Sequence, residues 1–585
     1  MKRPRAMILA VGLALLVLLV WPAVAQADTT EQVSVSTGGD QGNDDSDDPS
    51  ISADGTAVAF ESDATNLVAG DLNDCEDVFV RNLETGATVL VSVSSDEEQG
   101  DEGSYDPSIN ADGTIVAFRS YADLVEDDGE FFSQIFVRNL VSGTTQLASV
   151  NSDGDPGYGY SYDPSISADG SAVAFESSAT NLVEGETDGH RNVFVHYLTG
   201  LLAGTTVLVS GSDDEVPVPG DDDSYDPSIN ADGTVVAFTS YATNLWAGDE
   251  GGEYFGSSWQ PYEHVYVRDL VAGSTELASM NSAGDPAEGW STDPSINADG
   301  TIVAFESDAG NLVAGDSNGD DDVFVRDLEA GTTKLVSRGW DGSPGDDDSG
   351  DPSINADGTI VAFESDATNL VRGDTNDEDD VFVHNLVAGT TKLVSRGWDG
   401  SPADDDSNDP SISADGSRVA FESEATNLVF GGVNGAYDDI FVYIAAKKQA
   451  GYPNRYEQTD PRILYSGQWE TGDDQAHSGG SNYFTNDKTA TITITFKGTR
   501  LDWIAALGPL MGKALVSIDG GEPVLVDLFS DTELFEQLVW STGELEYGVH
   551  TITITFPEGS DYQEGKGINL DALDIWGVLL ETTQT

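Results

Sequence analysis

Short runs of alternating apolar and polar residues fill this chain, separated by clusters of Gly, Asp, Asn and Ser. In the first such group, DPSIS (Asp48–Ser52) reads as a short strand and TAVAFESD (Thr56–Asp63) as a second, rich in β-branched and aromatic residues. Between them lies ADG, a tight turn in which Asp-Gly is expected to supply the positive φ angles of a two-residue hairpin. A polar loop opening ATNLV follows, then DVFVRNL (Asp77–Leu83), with the period of two that marks a half-buried strand. After the turn ETGA comes TVLVSV (Thr88–Val93), the fourth strand.

This grammar repeats. Asp-Pro-Ser-Ile begins at Asp48, Asp106, Asp163, Asp226, Asp293, Asp351 and Asp409, at spacings of 58, 57, 63, 67, 58 and 58 residues. Asp293–Asp308 and Asp351–Asp366 are identical, both DPSINADGTIVAFESD. Seven units of four antiparallel strands predict an all-β chain built on a seven-bladed β-propeller. The seventh unit ends after DDIFVYI without a fourth strand, whereas Glu31–Thr37 (EQVSVST) looks like the fourth strands elsewhere. The N-terminal strand is therefore expected to complete the last blade and leave no unpaired edge. The phrase ADGTIVAFESD followed by DVFVRDL resembles the propeller repeats of the TolB-like family over Asp28–Lys448. That resemblance implies the fold. It does not choose a function, since such blades serve both as binding scaffolds and as accessory domains of peptidases.

A short linker (449–455) leads to a segment, 456–585, from which the repeat is gone. Strands are expected at Ala490–Phe496, Trp503–Ala506, Ala514–Ile518, Val524–Leu528, Glu536–Trp540, Val549–Phe556 and Ile568–Trp576, a pattern that predicts a two-sheet β-sandwich. The phrases DPRILYSGQWE, SGGSNYFTND, ATITITFKGTRLDWIAALG and HTITITF, with INLDALDIW last, resemble galactose-binding-like jelly-roll modules. The resemblance implies glycan binding, and a structural Ca²⁺ held by the NLDALD strand with an early acid such as Glu457. Sugar recognition needs flat apolar faces beside polar groups. Tyr465, Trp469, His477, Asn482, Tyr483 and Asp571 are the candidates, and Trp503, among apolar neighbours, reads as core.

Charge narrows the partners. Of 585 residues, 105 are acidic and 24 are Lys or Arg, a net charge of −81. This field repels nucleic acid and anionic membranes and leaves cations, cationic ligands and uncharged glycans. A saline habitat would explain the same acidity. The N-terminus joins basic MKRPR to apolar Ala6–Val20 and small residues at Ala23, Ala25 and Ala27, the pattern of a secretory signal peptide over 1–27. Export to the cell surface or the medium is expected, with no membrane span after cleavage. With one cysteine, Cys75, no intrachain disulfide can form.

The acids crowd into the loops between second and third strands and between consecutive units, which in a propeller share one face. In the first of these loops, Asp71, Asn73 and Asp77 have the alternate spacing of oxygen ligands; Asp316, Asn318, Asp320 and Asp322 repeat it in the fifth unit, and Asp374, Asn376 and Asp380 in the sixth. Such spacing suits Ca²⁺; it also suits Asx-type turns. The Asp before each Pro either rings the central channel as a cation site or caps the strand and binds the neighbouring blade. Trp340 and Trp398, in twin SRGWDGSP loops, are read as plugs of the seams between blades. There is no His-Glu-x-x-His and no phosphate loop, and the six histidines are scattered. The chain is therefore read as a non-catalytic, calcium-stabilised binding scaffold tethered to glycan or envelope polysaccharide. Its rivals are a protein-interaction module that binds no sugar, and a polysaccharide hydrolase or lyase using the acidic face.

Overall fold

The computed structural model describes residues 28–580 apart from 127, 129–130, 186–188, 214–216, 247–251, 256–257, 341, 375, 377, 432–436, 446–453, 461, 474–480, 531, 533, 544, 546–547 and 558–565. The expected signal peptide lies outside the described residues. Among the described residues, no helix is long and apolar enough to cross a membrane.

After β1 (Thr29–Gln32), blade one is built from β2 (Ser46–Ile51), β3 (Ala57–Ser62), β4 (Asp77–Asn82) and β5 (Ala87–Leu90), paired in that order. Six further antiparallel sheets repeat the pattern. In the last, β1 pairs with Asp439–Ile444, matching Thr29 to Ile444 and Gln32 to Phe441. The N-terminal strand thus closes the ring, although it sits earlier than EQVSVST implied. Val33 and Ser34 extend it, donating to Ile440 O at 2.6 and 3.4 Å.

Between consecutive sheets the alternating apolar positions meet. Phe60 stacks on Phe79 with ring centroids 5.9 Å apart, and the same pair recurs in every blade, with Tyr266 as the partner of Phe238 in blade four. Val58, Phe60, Val78 and Phe79 are all fully buried. Burying each such side chain contributes about 1.5–3 kcal/mol.

Two local expectations change. In the ADG turn only Gly takes the left-handed conformation, with φ +70° at Gly55, while Asp54 keeps ordinary φ. Asp54 instead accepts the Thr56 N–H at 2.9 Å. Blade four carries a hairpin, Gly252–Phe255 with Ser258–Pro261, that the sequence reading left within a loop.

The C-terminal segment forms two sheets, one of eight strands and one of three, around a shared core that includes Trp503, Phe496, Ile554 and Leu570. It starts at Asn454, inside the expected linker, because Asn454–Glu457 pairs with Ala572–Ile575. The two strands expected at Ala490–Phe496 and Trp503–Ala506 are one, Thr491–Leu507. Conversely, INLDALDIW divides: Ile568–Leu570 joins the small sheet and Ala572–Leu580 the large one, with Asp571 at the crossing.

Candidate functional site

The repeated phrase Asp-Pro-Ser-Ile builds the central channel. Each innermost strand has a register shift at this point. Proline has no N–H to lose from the ladder, so a bulge sits there cheaply. The Asp before it takes positive φ in all seven blades, between 43° at Asp351 and 51° at Asp106. Asp adopts this region more readily than most residues. The Ser that follows laces the blades together. Its hydroxyl accepts the backbone N–H of the Ile in the next blade, from Ile109 on Ser50 at 3.2 Å around to Ile51 on Ser411 at 3.0 Å.

Seven copies of Asp-Pro-Ser line a cavity of about 390 Å³ on the axis. A second ring, missed in the sequence, backs the first. Glu61 accepts the Asp106 N–H of the next blade at 2.6 Å, and Glu364 that of Asp409 at 3.0 Å. Glu176, Glu306 and Glu422 hold the same position; blades two and four have Arg119 and Thr239 there. The fixed place of Glu in AFES was the available signal. Carboxylates of Asp48, Glu61 and Asp106 lie within 4.8 Å of one another, as do those of Asp163, Glu176 and Asp226, and of Asp351, Glu364 and Asp409. Two arginines temper this: Arg119 meets Asp106 at 3.0 Å and Arg191 meets Glu176 at 2.7 Å. Burial, then mutual repulsion, raises Asp351 to about 8 and Asp226 to about 9. Burial and the charge of Asp351 raise Glu364 to about 8. The ring stores electrostatic tension that protons or cations relieve.

The three loops with ligand-like spacing are filled in part by their own donors, and in blade six Asn376 Oδ1 is left buried without a hydrogen-bond partner. In blade one, Gln99 Nε2 stands between Asp71 and Asp77, donating to them at 2.8 and 2.7 Å, while Ser92 donates to the other oxygen of Asp77. Asn73 donates to Gly100 O at 3.1 Å. In blade five Asn318 donates to Asp322 at 3.2 Å; in blade six Asn376 donates to Asp380 at 3.0 Å. Asp316 and Asp374 are buried nearby, and burial raises Asp322 and Asp380 to about 7. Asp320 is half-buried. These donors sit where a cation would. The arrangement is that of Asx-type loops, and a cation would need the amides turned over.

In the sandwich, three of the six candidates meet. Tyr465 lies edge-on to Trp469 at 5.0 Å and to Tyr483 at 5.2 Å. Tyr465 O–H donates to Gln458 O at 2.9 Å, and Trp469 Nε1 to Ser466 O at 2.9 Å, so both rings are oriented. Asp571 is fully buried where the strand crosses between sheets, so it does not reach a surface ligand. His477 lies outside the described residues, as do the side chains of Asn482 and Glu457. Trp503 is core, with Nε1 donating to Asn569 O at 3.2 Å.

Trp340 and Trp398 are not seam plugs, being 55% and 59% exposed. Their backbone N–H groups are tied to Asn369 O and Asn427 O, both at 3.0 Å, which leaves the indoles outside. Arg372 covers Trp340 at 4.1 Å, and Phe430 meets Trp398 edge-on at 5.1 Å.

Fold and site together define a seven-bladed β-propeller with an acidic channel and an appended β-sandwich. No family model matches the chain. A stretch of 98 residues is 28% identical to an A type blood N-acetyl-α-D-galactosamine deacetylase of Flavonifractor plautii, spanning 17% of this chain and 13% of that enzyme. Among solved structures, a putative TolB from Agrobacterium tumefaciens is 14% identical, covering 54% of this chain and 86% of its own, with a TM-score of 0.32. The acylaminoacyl peptidase of Pyrococcus horikoshii is 11% identical, covering 75% of this chain and 57% of its own, with a TM-score of 0.39.

Proposed function

We propose that this chain is an exported, non-catalytic scaffold: the propeller is an acidic platform for a protein or cationic partner, and the sandwich tethers it to glycan or an envelope polysaccharide. The observation that carries the reading is the Tyr465–Trp469–Tyr483 cluster on the sandwich, in which Tyr465 lies edge-on to both other rings. Oriented aromatic faces are what a sugar ring stacks on. The platform reading draws on the seven Asp-Pro-Ser copies that line the channel, an acidic ring suited to cations or cationic side chains. Calcium enters the proposal as a stabilising ion of blades five and six. Turning over the Asn318 and Asn376 amides would face oxygen toward Asp322 and Asp380, in exchange for their bonds to Gly345 O and Ala403 O.

The test is a glycan array probed with residues 28–585, with Ca²⁺ and with chelator, beside the Tyr483→Ala variant. Binding that falls at least tenfold in the variant supports the tether, since stacking on one aromatic is worth about 1.5 kcal/mol or more. Silence of the wild type in both conditions overturns it.

A further inference from the structure

The seams between blades are laced by one repeated device, and the two seams on either side of blade six lack it. At five seams a short polar side chain of one blade accepts the N–H of a Thr in the next. Thr37 takes Thr88 at 3.0 Å, Ser95 takes Thr145 at 2.9 Å, Ser152 takes Thr206 at 3.1 Å, Asp213 takes Thr275 at 2.7 Å and Ser282 takes Thr333 at 2.9 Å. In the seam between blades five and six the same position is Trp340, which has no such acceptor. A second device fails at the same place. Arg81, Arg138, Arg268 and Arg326 reach across their seams to backbone carbonyls of the preceding blade, Arg326 to Asn281 O at 3.2 Å. Blade six has His384 instead, as blade three has His196, and each ring stops at a Thr Oγ1 within its own blade, 2.9 Å away.

This seam, with Trp340 and His384 in place of the two devices, holds a cavity of about 1170 Å³. Its lining runs against the character of the molecule. Asp28–Ile444 contains twelve Lys and Arg residues, and three of them, Lys334, Arg338 and Arg372, border this one space. Of the other nine, five form ion pairs among the described residues, as Arg138 does with Glu97 and Lys392 with Asp28. Among the described residues, none of these three forms an ion pair. Among the described lining residues the one acid, Asp316, is buried. The exposed indole of Trp340 and the side chains of Leu335 and Leu370 complete an apolar wall. The next seam is an internal control. It carries Lys392, Arg396 and Trp398 at the corresponding positions, but Tyr443 stands in place of His384 and binds Lys392, and Phe430 replaces Arg372.

We propose that the open seam between blades five and six binds an acidic oligosaccharide, with Trp340 as the platform for a sugar ring and Lys334, Arg338 and Arg372 receiving its carboxylates. The volume suits a ligand of a few sugar rings. Guanidinium groups match carboxylates in geometry as well as charge. The chain's net negative charge is largely screened beyond about 8 Å at physiological salt, so local cations decide binding. His384 is held neutral at physiological pH, because burial and then Arg338 lower its pKa to about 4, and it adds a hydrogen-bonding group without a charge.

Titration calorimetry of residues 28–585 with a galacturonate trimer, and with the neutral galactose trimer, tests this. Binding of the acidic trimer at least tenfold tighter than the neutral one is expected. Arg372→Ala and the double variant Lys334→Ala/Arg338→Ala should each weaken it tenfold or more. His384→Arg restores the side chain of the neighbouring seam, fills the cavity and should abolish binding while the melting temperature holds. Lys392→Ala, in the closed seam, should leave binding unchanged. Absence of binding at millimolar trimer, equal binding of the neutral trimer, or undiminished binding by Arg372→Ala overturns the proposal. If His384→Arg fails to fold, the exposed Arg372→Ala variant still decides.

Discussion

Ile51 donates its backbone N–H to Ser411 Oγ at 3.0 Å across 360 residues of sequence. This bond completes a circle of seven identical contacts, and it forms only once the last blade has met the first. Pairing of β1 with Asp439–Ile444 fastens the same junction at the rim.

Breaking that junction should therefore unfasten the ring. Val33 is fully buried against the first and last blades. Val33→Asp leaves a charge without a partner there and should cost about 3 kcal/mol or more. Ser411→Ala should cost only about 1 kcal/mol, the usual net worth of one hydrogen bond. Thermal melts monitored by near-ultraviolet circular dichroism measure both. Equal effects would mean that the N-terminal strand does not carry the closure.

Stability should fall as pH rises. Asp226, Asp351 and Glu364 have native pKa values of about 9, 8 and 8, above the ordinary carboxylate range. A group raised in this way binds its proton more tightly in the native state. Its stabilisation is complete below about pH 4 and lost as pH rises through the native pKa. In low salt and chelator, the melting temperature should be higher at pH 5 than at pH 9. A flat or inverted profile would refute the tension assigned to the channel.

Asp351→Asn makes that test specific. Asn tolerates positive φ and mimics the protonated acid, so the backbone at φ 43° is kept. The variant should gain about 1–2 kcal/mol at pH 9 and almost nothing at pH 4.5. A gain that is the same at both pH values would point to packing rather than charge.

Calcium should act where the carboxylates are ionised. Adding Ca²⁺ to a chelated sample should raise the melting temperature more at pH 8 than at pH 5, because Asp322 and Asp380, at about 7, must lose their protons to ligate it. An unchanged melting temperature at pH 8 would remove calcium from the account and leave the Asx-type hydrogen bonds as the whole function of those loops.

The sequence by itself determined the blades, their number and their closure. Each rests on local chemistry repeated in register: alternation writes a strand, Asp-Gly writes a turn, and a missing last strand beside a spare first one writes a ring. It also placed Trp503 in the core and separated the sandwich from the propeller. What it left undecided depends on distances across blades. The Glu ring was invisible because Glu61 meets Asp106 only when neighbouring blades pack, and the loops' Asn amides read equally as ligands or donors until Gln99 and the facing Asp were placed. Trp340 was misread because its seam depends on His384, 44 positions later in the chain. A repeat makes its own members predictable; tertiary structure alone decides what one departure from the repeat, set against its neighbours, leaves open.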